Sequence, residues 1–532
     1  MYRTIRVFII IILSIGGCKN KNKKSVIIDS SITEQTSYNN LFLDSVRLDK
    51  FITRDSVLLK FKQDFFDFYK HRNYEFAWFD TSGLIEQAHN FYNLQNSYIA
   101  DIRDSSIYSA DLQKLYELFN NHPFRAVVMD SLALKAELLL TGQFFKYTSK
   151  VYQGSDINAK ELGWFIPRKK IDVTAALDSM VKTKGKRLDD YEPLNSDYRR
   201  LEKYLLQYYT LKNNTNWDSI SVIRSLKKGD SSLVVQQVKM RLTAFGDLSA
   251  TDTSKLFDTT MLKAVKQFQK RYGLNASGLV GASTFKELNR SVDSLIRKIL
   301  VNMERARWML PDTLTTDHLV VNIPEYKLHV YDSGKYSFNM NVVVGTAANS
   351  TVIFNGNLLY VVFSPYWNVT DDITKKEVMP AMQRDPNYLT KNNMEITGYH
   401  GKIPVVRQKP GPSNSLGGVK FLFPNSYNIY LHDTPNKELF SASKRSFSHG
   451  CIRLGEPTKL AQFLLRRDTI YTIDSIKSLM KLPKEKWLTI KPTVPVTIKY
   501  FTAWVDQDGL LNFRDDIYHH DAKMADKLFA RK

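Results

Sequence analysis

Apolar positions recur at two different periods in this chain, and the change of period divides it. From about residue 41 to 215 they return at three- and four-residue spacing, over 57–69, 111–120 and 132–147, which predicts a helical scaffold. The helical period continues over 225–290. There Val235, Val238 and Leu242 mark one short helix, and Met261, Ala264, Val265 and Phe268, at i, i+3, i+4 and i+7, mark a second that opens after Asp258. A linking helix is expected over 292–308. Beyond it the period falls to two. Strands are expected at 318–323, 327–331, 339–344 and 358–363, with a hairpin turn at Asp332-Ser333-Gly334-Lys335. They resume at 419–423, 429–432, 495–505 and 510–513. The stretch 371–418, helical near 373–382 and then polar with Lys409-Pro410-Gly411-Pro412, interrupts the sheet and reads as a lid or binding loop. The expected class is a multidomain α+β protein: a helical scaffold (41–215), a small three-helix module (225–290), and a β-rich domain (315–532) with an inserted subdomain (371–418).

Composition sharpens this picture in three places. A chain of 532 residues is long enough for roughly three domains, each with its own core. Lys+Arg 75 against Asp+Glu 54 gives a formal charge of +21, which suits anionic surroundings; no nucleic-acid motif accompanies it, so acidic lipid or wall polymer is favoured. At the amino end, Arg3 and Arg6 precede the apolar run 7–13, and Ile15-Gly16-Gly17 leads into Cys18. That is the form of an export signal, too short to span a bilayer. The sequence around Cys18 resembles a bacterial lipobox, which implies a lipoprotein signal peptide over 1–17, lipid on the Cys18 sulfur and a membrane partner. Residues 18–40, with Lys19, Lys21, Lys23 and Lys24 and a Ser/Thr/Asn-rich continuation, read as a tether. Trp78, Tyr92 and Trp164 are read as core aromatics.

Cys451 is the remaining cysteine of two. An unpaired thiol in an exported protein points to reactivity rather than structure. It lies in Ser448-His449-Gly450-Cys451-Ile452-Arg453. A thiol nucleophile needs a base or a positive neighbour, which is expected to lower its pKa. Of the two nearby histidines, His432 is preferred: it ends the alternating run Tyr430-Leu431-His432, from which it can meet Cys451 across a sheet, whereas His449 would have to turn back past Gly450. Asp433, through carbonyl or carboxylate, is the candidate to hold the second ring nitrogen. The amides of His449, Gly450 and Cys451 and the Tyr430 hydroxyl are candidate oxyanion donors, and Arg453 a cation for a substrate carboxylate. The competing readings are a zinc site formed by Cys451, His432, His449 and His400, an inert buried thiol for Cys451, a structural salt bridge for Arg453, and core packing for Tyr430 and Trp367.

The run 430–435, its spacing to 447–454, and Trp367 upstream resemble the L,D-transpeptidases of bacterial cell walls. The segment 225–290, with Lys228-Gly229-Asp230, Gln269 and 273–278, resembles the small helical peptidoglycan-binding module. The order of scaffold, module and catalytic domain with a capping insertion is similar to the large periplasmic branch of that family. The resemblance implies a cofactor-free, metal-free cysteine enzyme of the periplasm. Such an enzyme attacks a tetrapeptide stem at its third, diamino acid residue, releases the terminal D-alanine, and passes the acyl group to a second stem's amine. It implies Cys451 as nucleophile, His432 as base, Asp433 as its orienter, Tyr430 and Gly450 at the oxyanion, His449 within the motif, and Arg453, Trp367 and Ser448 toward substrate. The alternatives are a carboxypeptidase or amidase-like hydrolase using the same thiol, and a non-catalytic membrane-to-wall tether.

Overall fold

The computed structural model describes residues 26–33, 41–122, 130–168, 170–185, 195–214, 218–221, 224–249, 252–309 and 314–530. Cys18 and the export signal lie outside them. The chain forms two compact units, the first drawn from residues up to 99 with 105–147 and 172–188, the second from 100–104, 148–171 and 189–532.

The first unit is helical apart from a two-residue pair, β1 (Phe79–Asp80) with β2 (Gly83–Leu84). The single helix expected over 57–69 is two, Ser56–Leu59 and Lys62–His71. The break lets Phe61, Phe65 and Phe68 converge on Phe145, with ring centroids 5.2–6.5 Å away. At its centre Glu137 is fully buried and accepts from the amides of Ala77 (2.6 Å) and Trp78 (2.9 Å) and from the Tyr69 hydroxyl (2.8 Å). Burial pushes the Glu137 pKa up to about 7 against those three donors. Trp78 is core, as expected, and Tyr92 stacks on Tyr116.

Helix Ser196–Asn214, which the sequence pattern placed with the scaffold, belongs to the second unit. It lies against the linking helix Val292–Trp308, where Arg307 donates to the Tyr198 hydroxyl at 3.0 Å. Between them the three-helix module comprises Leu233–Ala244, Thr259–Arg271 and Ala282–Leu288. Ser232 and Asp258 cap the first two by accepting from Val235 N and Met261 N. The apolar positions read from the sequence are buried together, and Gln269 ties the helices to the following turn through Leu279 O, Thr284 Oγ1 and Gly278 N.

The rest is built on one sheet. Its strands are β3 (His318–Asn322), β4 (Lys327–Asp332), β5 (Lys335–Gly345), β6 (Asn355–Phe363), β10 (Val419–Leu422), β11 (Leu431–His432), β12 (Ser446–Ser448), β13 (Ile452–Leu454) and β14 (Lys486–Lys499). The order is β12-β5-β13-β11-β10-β6-β14-β3-β4, and β4 pairs β5 in turn, so the sheet closes on itself. The β4–β5 turn has Ser333 and Gly334 at φ 49° and 79°, the backbone of the two-residue hairpin the sequence called for. Strand β14 starts nine residues before its expected position: its register shifts between Thr489 and Val494, and the prolines at 492 and 495 mask the pattern there. A separate pair, β15 (Ala503–Val505) with β16 (Leu511–Phe513), and helix His520–Leu528 end the chain.

The insertion is a small folded body rather than a loop. Strands β7 (Trp367–Asn368), β8 (Met394–His400) and β9 (Ile403–Gln408) form their own sheet, and helical turns fill 371–391. Val369, Val378 and Val406 are its core, with Trp367, Ile373 and Met382 packed on them.

Candidate active site

Pleat and register assemble the site. Leu431 pairs with Ile452 and His432 with Arg453 across the parallel β11–β13 pair, and Ile452 N donates to Tyr430 O at 3.1 Å. Leu431, Ile452 and Leu454 are fully buried on the core side. Side chains alternate along a strand, so Tyr430, His432, Cys451 and Arg453 project from the opposite face. A one-residue slip would turn all four toward the core and the core residues away from it.

His432 is 4% exposed, and its Nδ1 lies 2.5 Å from the backbone oxygen of Asp433. A carbonyl only accepts, so Nδ1 carries the proton and Nε2 keeps its lone pair. Burial, then the Arg453 charge, depress the imidazole to about 3, against the Asp433 carbonyl; the ring is neutral at neutral pH. The Asp433 carboxylate is occupied elsewhere, by Thr434 N (2.7 Å), Lys437 Nζ (2.6 Å) and Gly418 N (2.8 Å). Of the two ways sequence offered for Asp433 to hold the ring, the carbonyl is the one present.

The Cys451 sulfur lies 3.4 Å from Asn428 O, to which the thiol donates. Burial pushes its pKa up, while hydrogen bonding with Tyr430 and the Arg453 charge pull the other way. The expectation of a depressed thiol pKa is therefore corrected: desolvation outweighs the positive neighbour, and the resting pair is a neutral thiol and a neutral imidazole.

The turn before Cys451 is internally braced. Gly450 has φ +113°, a conformation that L side chains rarely adopt. Ser448 is 3% exposed; its hydroxyl donates to Cys451 O (2.5 Å) and accepts from Gly450 N (3.2 Å). The structure thus sets Ser448 inside the turn rather than toward substrate, and it engages the Gly450 amide that sequence offered to an oxyanion. None of these bonds uses the amide of Cys451. The Gly450 carbonyl accepts from the Thr351 hydroxyl at 2.7 Å, and that hydroxyl accepts from Gly345 N at 3.0 Å. Tyr518, near the end of the chain, donates its hydroxyl to Gly345 O (2.7 Å) and accepts from Thr351 N (3.2 Å). A Cβ on Gly345 would lie 2.0 Å from Asn349 O and 3.0 Å from Gly450 Cα, so the approach needs glycine. Nothing in the pattern near Thr351 or Tyr518 signalled this, since a buried hydroxyl donating to a distant carbonyl has no local periodicity.

His449 points away from the turn: its Nε2 is 2.7 Å from Glu377 Oε1 on the insertion. Trp367 packs within the insertion, and His400, from the zinc alternative, lies beside Asp371 there. Arg453 has its Nε buried with no hydrogen-bond partner among the described residues.

Residues 316–473 match the L,D-transpeptidase catalytic domain family, 231–288 a putative peptidoglycan binding domain, and 63–205 a scaffold domain. A putative L,D-transpeptidase of Haemophilus influenzae is 32% identical over 293 residues, 52% of this chain and 58% of that protein. The chain thus spans under two thirds of the length of this curated relative. Among solved structures, an L,D-transpeptidase from Stackebrandtia nassauensis is 14% identical, covering 52% of this chain and 94% of that one, with TM-score 0.22. One from Xylanimonas cellulosilytica is 13% identical, with 52% and 98% coverage and TM-score 0.18. Scores this low carry no argument. The family match spans the strands that present Cys451 and His432, and over residues 316–473 the chain is similar to the L,D-transpeptidase catalytic domain.

Proposed function

We propose that the protein cross-links peptidoglycan stem peptides through a thioester at Cys451. The observation that carries the reading is the shared face of Tyr430, His432, Cys451 and Arg453, with the lone pair of His432 Nε2 left free by the Asp433 carbonyl. Sγ attacks the carbonyl carbon of the stem's diamino acid residue as its proton passes to Nε2. The oxyanion is stabilised by the Cys451 amide and the Tyr430 hydroxyl. Collapse breaks the peptide bond, Nε2 gives its proton to the departing D-alanine amine, and the thioester remains. A second stem's amine attacks it, giving a proton to Nε2 and restoring the thiol. The test is product analysis on a tetrapeptide stem with and without an acceptor amine. Cross-linked product that requires the acceptor and disappears in Cys451→Ala supports transfer; a tripeptide stem formed equally without acceptor replaces it with hydrolysis.

The domain limits read from the sequence are retained as the working division: 1–17, 18–40, 41–215, 225–290 and 315–532, with 371–418 as cap. The module over 225–290 holds wall polymer, and the +21 charge suits an acidic wall and membrane surface. No helix among the described residues is long and apolar enough to cross a membrane. Lipid on Cys18 supplies the anchor on the periplasmic side. Cys18→Ser is expected to abolish metabolic lipid labelling and release the protein from membranes; undiminished labelling would remove the anchor from this reading.

A further inference from the structure

The register that builds the site continues past His432. Lys420 on β10 is the cross-strand partner of His432, Val362 on β6 is the partner of Lys420, and Trp487 on β14 is the partner of Val362. Directly paired residues face the same way, so Arg453, His432, Lys420, Val362 and Trp487 form one row across five strands, about 4.8 Å apart per step. The imidazole therefore stands between two cations on the cleft face. Lys420 is half-buried, its amine 5.5 Å from the Trp487 ring and 3.4 Å from Tyr366 O, a long contact. The nearest carboxylate acting on Lys420 is Glu485, which accepts from Tyr366 N and lies beyond ion-pair contact with the amine, and the buried Arg453 Nε has no hydrogen-bond partner among the described residues. A partly desolvated cation whose carboxylate neighbour is out of contact still costs free energy that a directly bound anion recovers.

We propose that Lys420 binds the terminal carboxylate of the leaving residue and so selects donors with a single residue beyond the scissile bond. This rests on the transfer reading above, because that reaction fixes the direction of the substrate. The acyl part stays bonded to Sγ on the β13 side, where Arg453 also lies. The leaving amine must reach His432 Nε2 to take its proton. The residue it carries therefore departs past the imidazole, and the next strand beyond the imidazole presents Lys420. In a stem with one more residue, the carboxylate moves out by about 3.5 Å and leaves the ammonium unpaired.

The experiment compares Lys420→Met, Lys420→Arg and the unaltered protein on three soluble stems: a tetrapeptide, its C-terminal amide, and a pentapeptide. Lys420→Met keeps the aliphatic stem over Trp487 and removes the charge. It is expected to raise KM for the tetrapeptide about tenfold or more, the worth of a hydrogen bond to a charged group. KM for the amide and the pentapeptide should stay within about twofold, kcat should change little, and Lys420→Arg should restore most of the affinity. An equal rise for acid and amide, or none for either, overturns the proposal. Calorimetric binding of the same stems to Cys451→Ala and Cys451→Ala/Lys420→Met separates the two readings: a preference for the free acid that Lys420→Met removes upholds the subsite even where turnover fails. Lys420→Gln takes the place of Lys420→Met if the latter does not fold.

Discussion

Replacing His432 by alanine is expected to slow acylation of Cys451 by at least about a hundredfold, the range in which a positioned base contributes, while leaving the thiol's own titration almost unmoved. The sign follows from both pKa directions. Burial and Arg453 bring the imidazole to about 3, so above that value it is neutral. Burial lifts the thiol, so the thiolate is scarce at neutral pH. A neutral imidazole lends no charge to a thiolate, and its removal takes none away. Iodoacetamide alkylation against pH should therefore show a midpoint above the ordinary thiol range in both proteins, with acylation by a carbapenem, followed by intact mass, lost only in the variant. The acid side of the acylation profile should stay flat through pH 5, because the base protonates only near 3. A midpoint below the ordinary range that rises in His432→Ala would mean a preformed ion pair. His449→Ala should change acylation far less, since that ring is engaged with Glu377 on the insertion.

The parts of this site visible in the sequence are those written in local periods. The alternation in 430–432 and 451–454 sets Tyr430 with His432 and Cys451 with Arg453 on shared faces, because Leu431, Ile452 and Leu454 have only the core to go to. The linking helix and the first two module helices were legible for the same reason, each carrying an apolar stripe after a capping Ser or Asp, whereas the short third helix follows Gly281 without a side-chain cap. The misses share a different cause. The hairpin β8–β9 was hidden because a body with only three buried valines needs little apolar alternation, and Glu395, Thr397, Gly398 and His400 read as loop. The split of 57–69 follows from a long-range demand, the Phe145 ring, that spacing within the segment does not contain. The thiol's direction of shift went wrong because sequence names the neighbouring charges and not the burial, and burial is the larger effect here. Lys420 was passed over because a lysine alternating with Val419 and Phe421 looks like an ordinary solvent-facing strand position until its partner is known to be His432.

Thr351→Val is expected to lower acylation by about a hundredfold, the low end of what losing one oxyanion-hole donor costs, although Thr351 touches no reacting atom. The argument runs through peptide geometry. The Gly450 carbonyl and the Cys451 amide belong to one planar trans unit and point in opposite directions. The Thr351 hydroxyl, 2.7 Å from that oxygen, therefore fixes the aim of the Cys451 N–H, a donor that the turn's own bonds leave unused. Valine keeps the shape and removes the donor, so the peptide plane is free to rotate at Gly450, whose glycine backbone resists least. Tyr518→Phe should act in the same direction but more weakly, since it loosens Thr351 and Gly345 without freeing the Gly450 oxygen directly. Alkylation by iodoacetamide forms no oxyanion, so its rate should stay within about twofold of the unaltered protein in both variants, while carbapenem acylation falls. Thr351→Ser, which restores the hydroxyl, should recover most of the rate. Equal loss of alkylation and acylation would mean that Thr351 holds the sulfur or the fold rather than the amide, and unchanged acylation in Thr351→Val would mean that the plane is held by the Ser448 bracket alone.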